Sequence, residues 1–320
     1  MNYNQKYKKY KTKYIELLKQ KGGARELINA IRSNENILKI TELIEGGADL
    51  TEIVLGKTAL LYAVERGNTE IFKLLLDRST SENLEYSDPS GKTALIYSIE
   101  RGRPEIFKLL LERGVDINKC TTDGKSALLY AAEYGRNELC KLLLDHGADI
   151  SQQNLKHKNA LIYAVEYGNK ETCELLLAAH IELEHADINN RTALLYAAVR
   201  GNIEIFNFLL ESHANIEQID ISGNNVLLLA IEYSNNALSK ILIDKNVGVL
   251  YTGPTTPLIN ATKSGMVEIC KLLLSNGVYI NEKDQYGKSA LDYAKENRNT
   301  ELITLLSDRL DARIKKLIHG

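Results

Sequence analysis

Gly56-Lys57-Thr58-Ala59-Leu60 decides how this chain is read, because it returns as Gly91-Lys92-Thr93-Ala94-Leu95, as Gly124-Lys125-Ser126-Ala127-Leu128 and as Gly287-Lys288-Ser289-Ala290-Leu291. Degenerate copies begin at His157, Asn190, Gly223 and Pro254, so the successive intervals are 35, 33, 33, 33, 33, 31 and 33 residues. An earlier copy, Leu27-Ile28-Asn29-Ala30-Ile31, stands one period before Leu60-Leu61-Tyr62-Ala63-Val64. Setting aside a lysine-rich first stretch, residues 1–23, leaves 297 of the 320 residues, which is nine times 33. A fixed period of this length signals stacked units, not the two average domains that the length alone would suggest.

Each copy reads as two short helices. Thr58 or its equivalent is an N-cap, whose hydroxyl accepts from an otherwise unpaired N–H at the helix start. Leu60, Ala63 and Val64 then fall at i, i+3 and i+4 on one helical face. Gly67-Asn68 ends that helix, and Ile71, Leu74 and Leu75 set a second apolar stripe on the next. The following turn, as in Gly147-Ala148-Asp149-Ile150, places glycine where a left-handed backbone is needed. His180, His213 and Asn246 stand there in three repeats, and both residue types tolerate positive φ, so two of the six histidines need no ligand to explain them.

This pattern strongly resembles the ankyrin repeat, a β-turn plus two antiparallel helices at a period of 33. The resemblance rests on the T-A-L core, the G-N between helices, the E-I-x-K-L-L-L of the second helix and the G-A-D-I turn, over about residues 24–316. It implies an all-α ankyrin-repeat solenoid of about nine helix-turn-helix repeats, spanning 24–320 as one domain, with the first and last repeats as polar caps. The family's T-P-L-H histidine is absent; Leu61, Ile96, Leu129, Ile162, Leu195, Leu228, Ile259 and Asp292 hold its register, so apolar packing has to replace a threonine–histidine hydrogen bond. Two places break the rhythm, the lengthened 79–89 segment and the shortened 245–257 segment, and a bend or a loosened interface is expected at each.

A composition of 44% apolar and 26% charged residues excludes disorder throughout, collagen-like structure and a disulfide scaffold. No apolar run exceeds seven residues (193–199), far short of the ~20 that span a bilayer. The net charge of −2 is uneven: seven lysines against Glu16 give residues 1–23 a charge of +6, leaving −8 for the rest. Attraction to nucleic acid is therefore expected only through the leader. The leader lacks the apolar core of an export signal, so a reducing intracellular setting is expected and secretion is not. Cys140, Cys173 and Cys270 occupy the register of Phe72, Phe107 and Phe206, which marks them as free, buried packing residues.

Function in such a scaffold must lie on residues that the core does not need. Between the core positions of the first helices lie Tyr62, Glu65 and Arg66; Tyr97, Glu100 and Arg101; Tyr130, Glu133 and Tyr134; Tyr163, Glu166 and Tyr167; and Tyr196, Val199 and Arg200. The register then decays to Leu229, Glu232 and Tyr233 and to Asn260, Lys263 and Ser264. The resemblance implies that this stripe faces a concave groove where a protein partner docks, and tyrosine suits interfaces by its large ring and single polar tip. The alternative is a tyrosine ladder that only stabilises neighbouring helices. The partner is expected to be a protein and the chain a monomer, with no cofactor and no metal.

In the leader, Tyr3, Tyr7, Tyr10, Tyr14 and Leu17 are spaced 4, 3, 4 and 3 residues apart, an aromatic seam if the segment is helical. With its Gly22-Gly23 end, it resembles the Tyr/Lys-rich leaders of proteins of giant DNA viruses that infect amoebae, which implies host cytoplasm or virion as the setting and a host or viral protein as the partner. Three readings stand: a solvated basic tail, a docking or packaging segment cut after Gly23, and a nucleic-acid-binding arm whose tyrosines stack on bases. Catalysis is not expected, for there is no glycine-rich phosphate loop, no H-E-x-x-H, no CxxC pair and no G-x-S-x-G. A ubiquitin-ligase adaptor is the runner-up to a pure binder; it is disfavoured because the last repeat, beginning near Gly287, leaves no F-box-like extension before Gly320.

Overall fold

At Thr58 the backbone is extended (φ −84°, ψ 168°), and the Thr58 hydroxyl accepts from the Leu61 N–H at 3.4 Å, closing the start of the Ala59–Arg66 helix. Gly67 then takes a left-handed conformation (φ 73°), and Asn68 caps the Thr69–Leu76 helix by accepting from the Ile71 N–H at 3.0 Å. This helix–turn–helix is the repeating element of a computed structural model that describes residues 23–319, with side chains to residue 311. Its described residues hold nine helix pairs, from Gly23–Arg32 with Ile37–Glu45 to Ala290–Glu296 with Thr300–His319. They contain no β-strand, only isolated antiparallel bridges at Val54 and Lys57, Ser87 and Thr93, and Lys283 and Ser289.

The described residues fall into two compact units, the first ending at Leu155 and the second beginning at Lys156. Within the first, the opening helices Gly23–Arg32, Ala59–Arg66, Ala94–Glu100 and Ala127–Glu133 pack each on the next. Within the second, the Ala160–Glu166, Ala193–Arg200, Val226–Glu232, Pro257–Lys263 and Ala290–Glu296 helices do the same. An all-helical solenoid of these repeats is therefore what the sequence builds. One repeat cannot cover its own apolar faces, so a first helix inside a unit is covered by the first helix on either side. Six consecutive residues, Ala59 to Val64, are buried as a result.

The capping threonine is not used uniformly. Thr93 and Thr256 repeat the Thr58 bond, Asn159 and Asn225 make it with an amide oxygen, and Ser289 forms a capping box with Asp292. Ser126 and Thr192 have matching backbone angles, yet their buried hydroxyls make no hydrogen bond. His180, His213 and Asn246 do take positive φ (63°, 69° and 57°), as the turn requires. Cys140, Cys173 and Cys270 are buried and free like their phenylalanine counterparts, and burial pushes their thiols up to about 12, 12 and 11. Cys120, outside that register, is exposed.

The two irregular segments share one device. In the longer one the extra residues form a single turn, Ser81–Leu84, with Leu84 buried, and Tyr86 donates to the Gly56 carbonyl at 3.0 Å. In the shorter one Tyr251 donates to the Gly223 carbonyl at 2.8 Å. Three residues after each tyrosine a proline, Pro89 or Pro254, lies where a Cβ on that same glycine would stand. Each segment is thus gripped to the turn before it, where loosening was expected.

Candidate functional site

The first-helix stripe divides into buried and exposed members. Tyr62, Tyr97, Tyr130, Tyr163 and Tyr196 are only 4–7% exposed, which corrects the expectation that they present their rings to a partner. The physical reason is the second covered side of each first helix. Their rings lie between successive repeats, and their hydroxyls turn inward. Tyr97 donates to Asp88 at 2.7 Å and Tyr196 to Asp187 at 2.8 Å, while Tyr62 donates to the Val54 carbonyl at 3.0 Å. Tyr293 continues the pattern on Asp284 at 2.7 Å.

The turn aspartates organise this bond. Asp187 receives the N–H groups of Asn189 and Arg191 on one oxygen and the Tyr196 hydroxyl on the other. Burial alone would raise the Asp284 carboxyl, but hydrogen bonds from Tyr293, the Lys288 N–H, Lys263 and the Tyr286 N–H hold it at about 2. Burial, joined by neighbouring carboxylates, pushes the Tyr97, Tyr130 and Tyr196 phenols well above their ordinary range, so each stays a neutral donor.

A lysine five residues before Tyr62, Tyr97, Tyr130, Tyr163 and Tyr293 lies over the ring of each, while Arg191 holds that position before Tyr196. Lys57 lies 5.8 Å from the Tyr62 centroid and 4.7 Å from that of Tyr97 in the next repeat; Lys158 does the same with Tyr163 (5.9 Å) and Tyr196 (4.5 Å). Each ammonium also meets a carboxylate eight residues on: Lys57 with Glu65, Lys92 with Glu100, Lys125 with Glu133, Lys158 with Glu166 and Lys288 with Glu296. Arg101 adds a 3.0 Å bond to Glu65, and Arg200 one to Glu166. The lysines were missed as ladder residues although they stand in the repeated Gly-Lys-Thr-Ala-Leu; the signal was the fixed Lys, Tyr, Glu spacing of 5 and 3.

Outside this ladder lie the exposed members. Tyr134 and Tyr167 are 40% and 53% exposed, and each stacks on the buried tyrosine of its own repeat with ring centroids 6.4 Å apart. Arg66, Arg101 and Arg200 are exposed as well, while Glu65, Glu100, Glu133 and Glu166 are half-buried and paired with their lysines. The turn tips add apolar side chains that sequence reasoning overlooked: Leu55 and Leu155 in the first unit, Ile188 and Ile221 in the second. Their signal was an apolar residue inside an otherwise polar turn, as in Asp220-Ile221-Ser222-Gly223. Backbone bonds join successive tips, such as the Ile221 N–H to the Asn189 carbonyl at 2.8 Å.

The leader tyrosines Tyr3, Tyr7, Tyr10 and Tyr14 and Gly22 lie outside the described residues; Gly23 is the buried first residue of the Gly23–Arg32 helix. Among the described residues no group of three His, Cys, Asp or Glu side chains is placed to hold a metal ion, and no helix is long and apolar enough to cross a membrane.

A family model described as ankyrin repeats (3 copies) matches residues 27–121, 113–187, 179–252 and 227–316. Among solved structures, the crystal structure of the human ASB11 ankyrin repeat domain is similar at 25% identity and a TM-score of 0.62, with 68% of this chain and 98% of that one covered. No curated protein sequence matches the chain.

Proposed function

The chain belongs to the ankyrin-repeat family, whose repeats are protein-interaction modules, and we propose that it is a non-enzymatic binder that holds a protein partner on the surfaces that the first helices and turn tips form within its units. One observation carries this reading. Tyr134 and Tyr167 are large rings that the core does not bury, yet each is held parallel to a buried tyrosine. A fixed aromatic side chain in solvent loses little freedom on binding and brings a large contact area. The buried tyrosines, lysines and glutamates beneath serve as the frame. The leader's likeness to those of giant-virus proteins supports a partner of host or viral origin, and its positive charge keeps nucleic acid as a leader-borne alternative.

The test is affinity capture from cell extract by the full chain and by Tyr134→Ala with Tyr167→Ala, each with and without residues 1–23. Loss of the captured protein in the double variant, at unchanged helical circular dichroism, is the expected result. Capture that survives both substitutions and depends on residues 1–23 would move the function to the leader.

A further inference from the structure

From the Ala59–Arg66 repeat onward the ladder balances its charges in all repeats but one. Where the lysine is present, the glutamate eight residues on pairs with it. Where Arg191 replaces the lysine, Val199 replaces the glutamate, and Arg191 turns instead to Asp220 of the next turn at 2.9 Å. Where Lys263 replaces the glutamate, Thr255 replaces the lysine, and Lys263 turns to Asp284 at 3.2 Å and to the Tyr293 ring at 4.3 Å.

Among the repeats that carry glutamate in this register, the Val226–Glu232 repeat is the exception. Asn224 stands in the lysine position and Leu229 in the tyrosine position, but Glu232 is kept. Glu232 is exposed, and among the described residues no cation pairs with it. Its neighbours in this register are committed elsewhere: Arg191 to Asp220, Arg200 to Glu166 and Lys263 to Asp284. Beside it, Tyr233 is 46% exposed and its side chain meets Arg191. Ile219 and Ile221, 37% and 73% exposed, flank the Asp220 that Arg191 holds. The chain neighbour of the uncompensated carboxylate, Tyr233, is thus linked through the Arg191–Asp220 ion pair to the two exposed isoleucines.

Resting on the partner-binding reading above, we infer that this repeat takes a peptide segment of the partner that carries a lysine or arginine next to an aliphatic or aromatic residue. The basic side chain supplies the cation that Asn224 cannot, against Glu232, and the apolar one packs on Ile219, Ile221 and Tyr233. A charge-assisted contact at such a site selects strongly for the sign of the partner's charge.

The probe is a phage-displayed random peptide library selected on the full chain. Enriched peptides are expected to pair a basic with an apolar residue. Binding of a selected peptide is expected to weaken by about tenfold or more in Glu232→Gln, the size of a lost hydrogen bond to a charged group. Asn224→Lys supplies the internal pair seen in sister repeats, so it should block the peptide while urea unfolding shows the fold intact, which separates a loss of binding from unfolding. Glu296→Gln, at a compensated site, should leave binding unchanged. Selection of no peptide, of peptides without a basic residue, or of peptides indifferent to both Glu232→Gln and Asn224→Lys overturns the inference. If such indifferent peptides are lost on Tyr134→Ala with Tyr167→Ala, the binding face stands without it; if neither set of variants matters, both readings fall.

Discussion

Tyr196→Phe separates frame from binding surface with the loss of a single oxygen. The Tyr196 hydroxyl donates to the Asp187 Oδ2 at 2.8 Å, and both residues are about 5–6% exposed. Phenylalanine keeps the ring under Lys158 and leaves that oxygen with only the Asn189 Nδ2 at 3.4 Å. Removing a hydrogen bond to a buried charge costs ~1.5–3 kcal/mol, and about 2 kcal/mol corresponds to roughly a 30-fold change in an equilibrium constant. Repeats open locally, so the quantity to read is native-state hydrogen exchange in the Ala193–Arg200 and Ile203–Glu211 helices. Amides there should exchange about 30-fold faster, and the effect should shrink when Asp187→Asn is already present. Partner capture should be kept, since the hydroxyl points inward. Exchange within about twofold of the unaltered chain, or the same loss in the Asp187→Asn background, would refute the assignment of Tyr196 to the frame.

Three further outcomes follow from the same geometry. Gly91→Ala should cost more than about 2 kcal/mol, because its φ is +83° and a Cβ would lie 2.7 Å from the Thr121 Cα; Gly147→Ala, with φ +86° and nothing within 4 Å, should cost only about 1 kcal/mol, and urea unfolding of the two variants measures the difference. Ser239→Ala should raise stability by about 1 kcal/mol in the same assay, because the Ser239 hydroxyl is fully buried without a hydrogen-bond partner where sister repeats hold Phe or Cys. Asp284, ordinarily at 3.8 and held at about 2, contributes stability that is whole above pH 3.8 and is lost as pH falls through about 2. Acid titration of helical signal should therefore be less steep over that window in Asp284→Asn, which should also be less stable at neutral pH.

The helices were legible because a core repeats its demands. Leu60, Ala63 and Val64 recur since each repeat must fill the same space, and His180 and His213 were readable because backbone sterics admit few residues at their φ. Tyr62, Tyr97, Tyr130, Tyr163 and Tyr196 were misplaced for a related reason. A helical wheel assumes one buried face, whereas a helix inside a stack has two, so a polar-tipped residue on the additional buried face is taken for a solvent-facing one. For Tyr97 and Tyr196 the inward hydroxyl meets the aspartate nine residues earlier, Asp88 or Asp187, a pairing invisible to i, i+3, i+4 counting. The lysines were hidden differently: in sequence a lysine reads as solvated charge, but an ammonium between two rings and a carboxylate is part of the packing.

The balance of charges along the ladder bears on where binding can occur. A lysine held by two rings and a carboxylate is poorly placed to recognise anything else, because releasing it would leave Glu65 or Glu166 with a weakened environment. Replacement in matched pairs, as at Arg191 with Val199 and at Thr255 with Lys263, is what a frame needs if no charge is to be left half-buried alone. An exposed carboxylate escapes that requirement, since water solvates it at little cost. Glu232 can therefore remain unmatched without destabilising its repeat, and only displacement of that water by a partner would make its missing cation felt. Recognition along this face then belongs to the residues the frame does not close: the outer tyrosines, the apolar turn tips and that carboxylate.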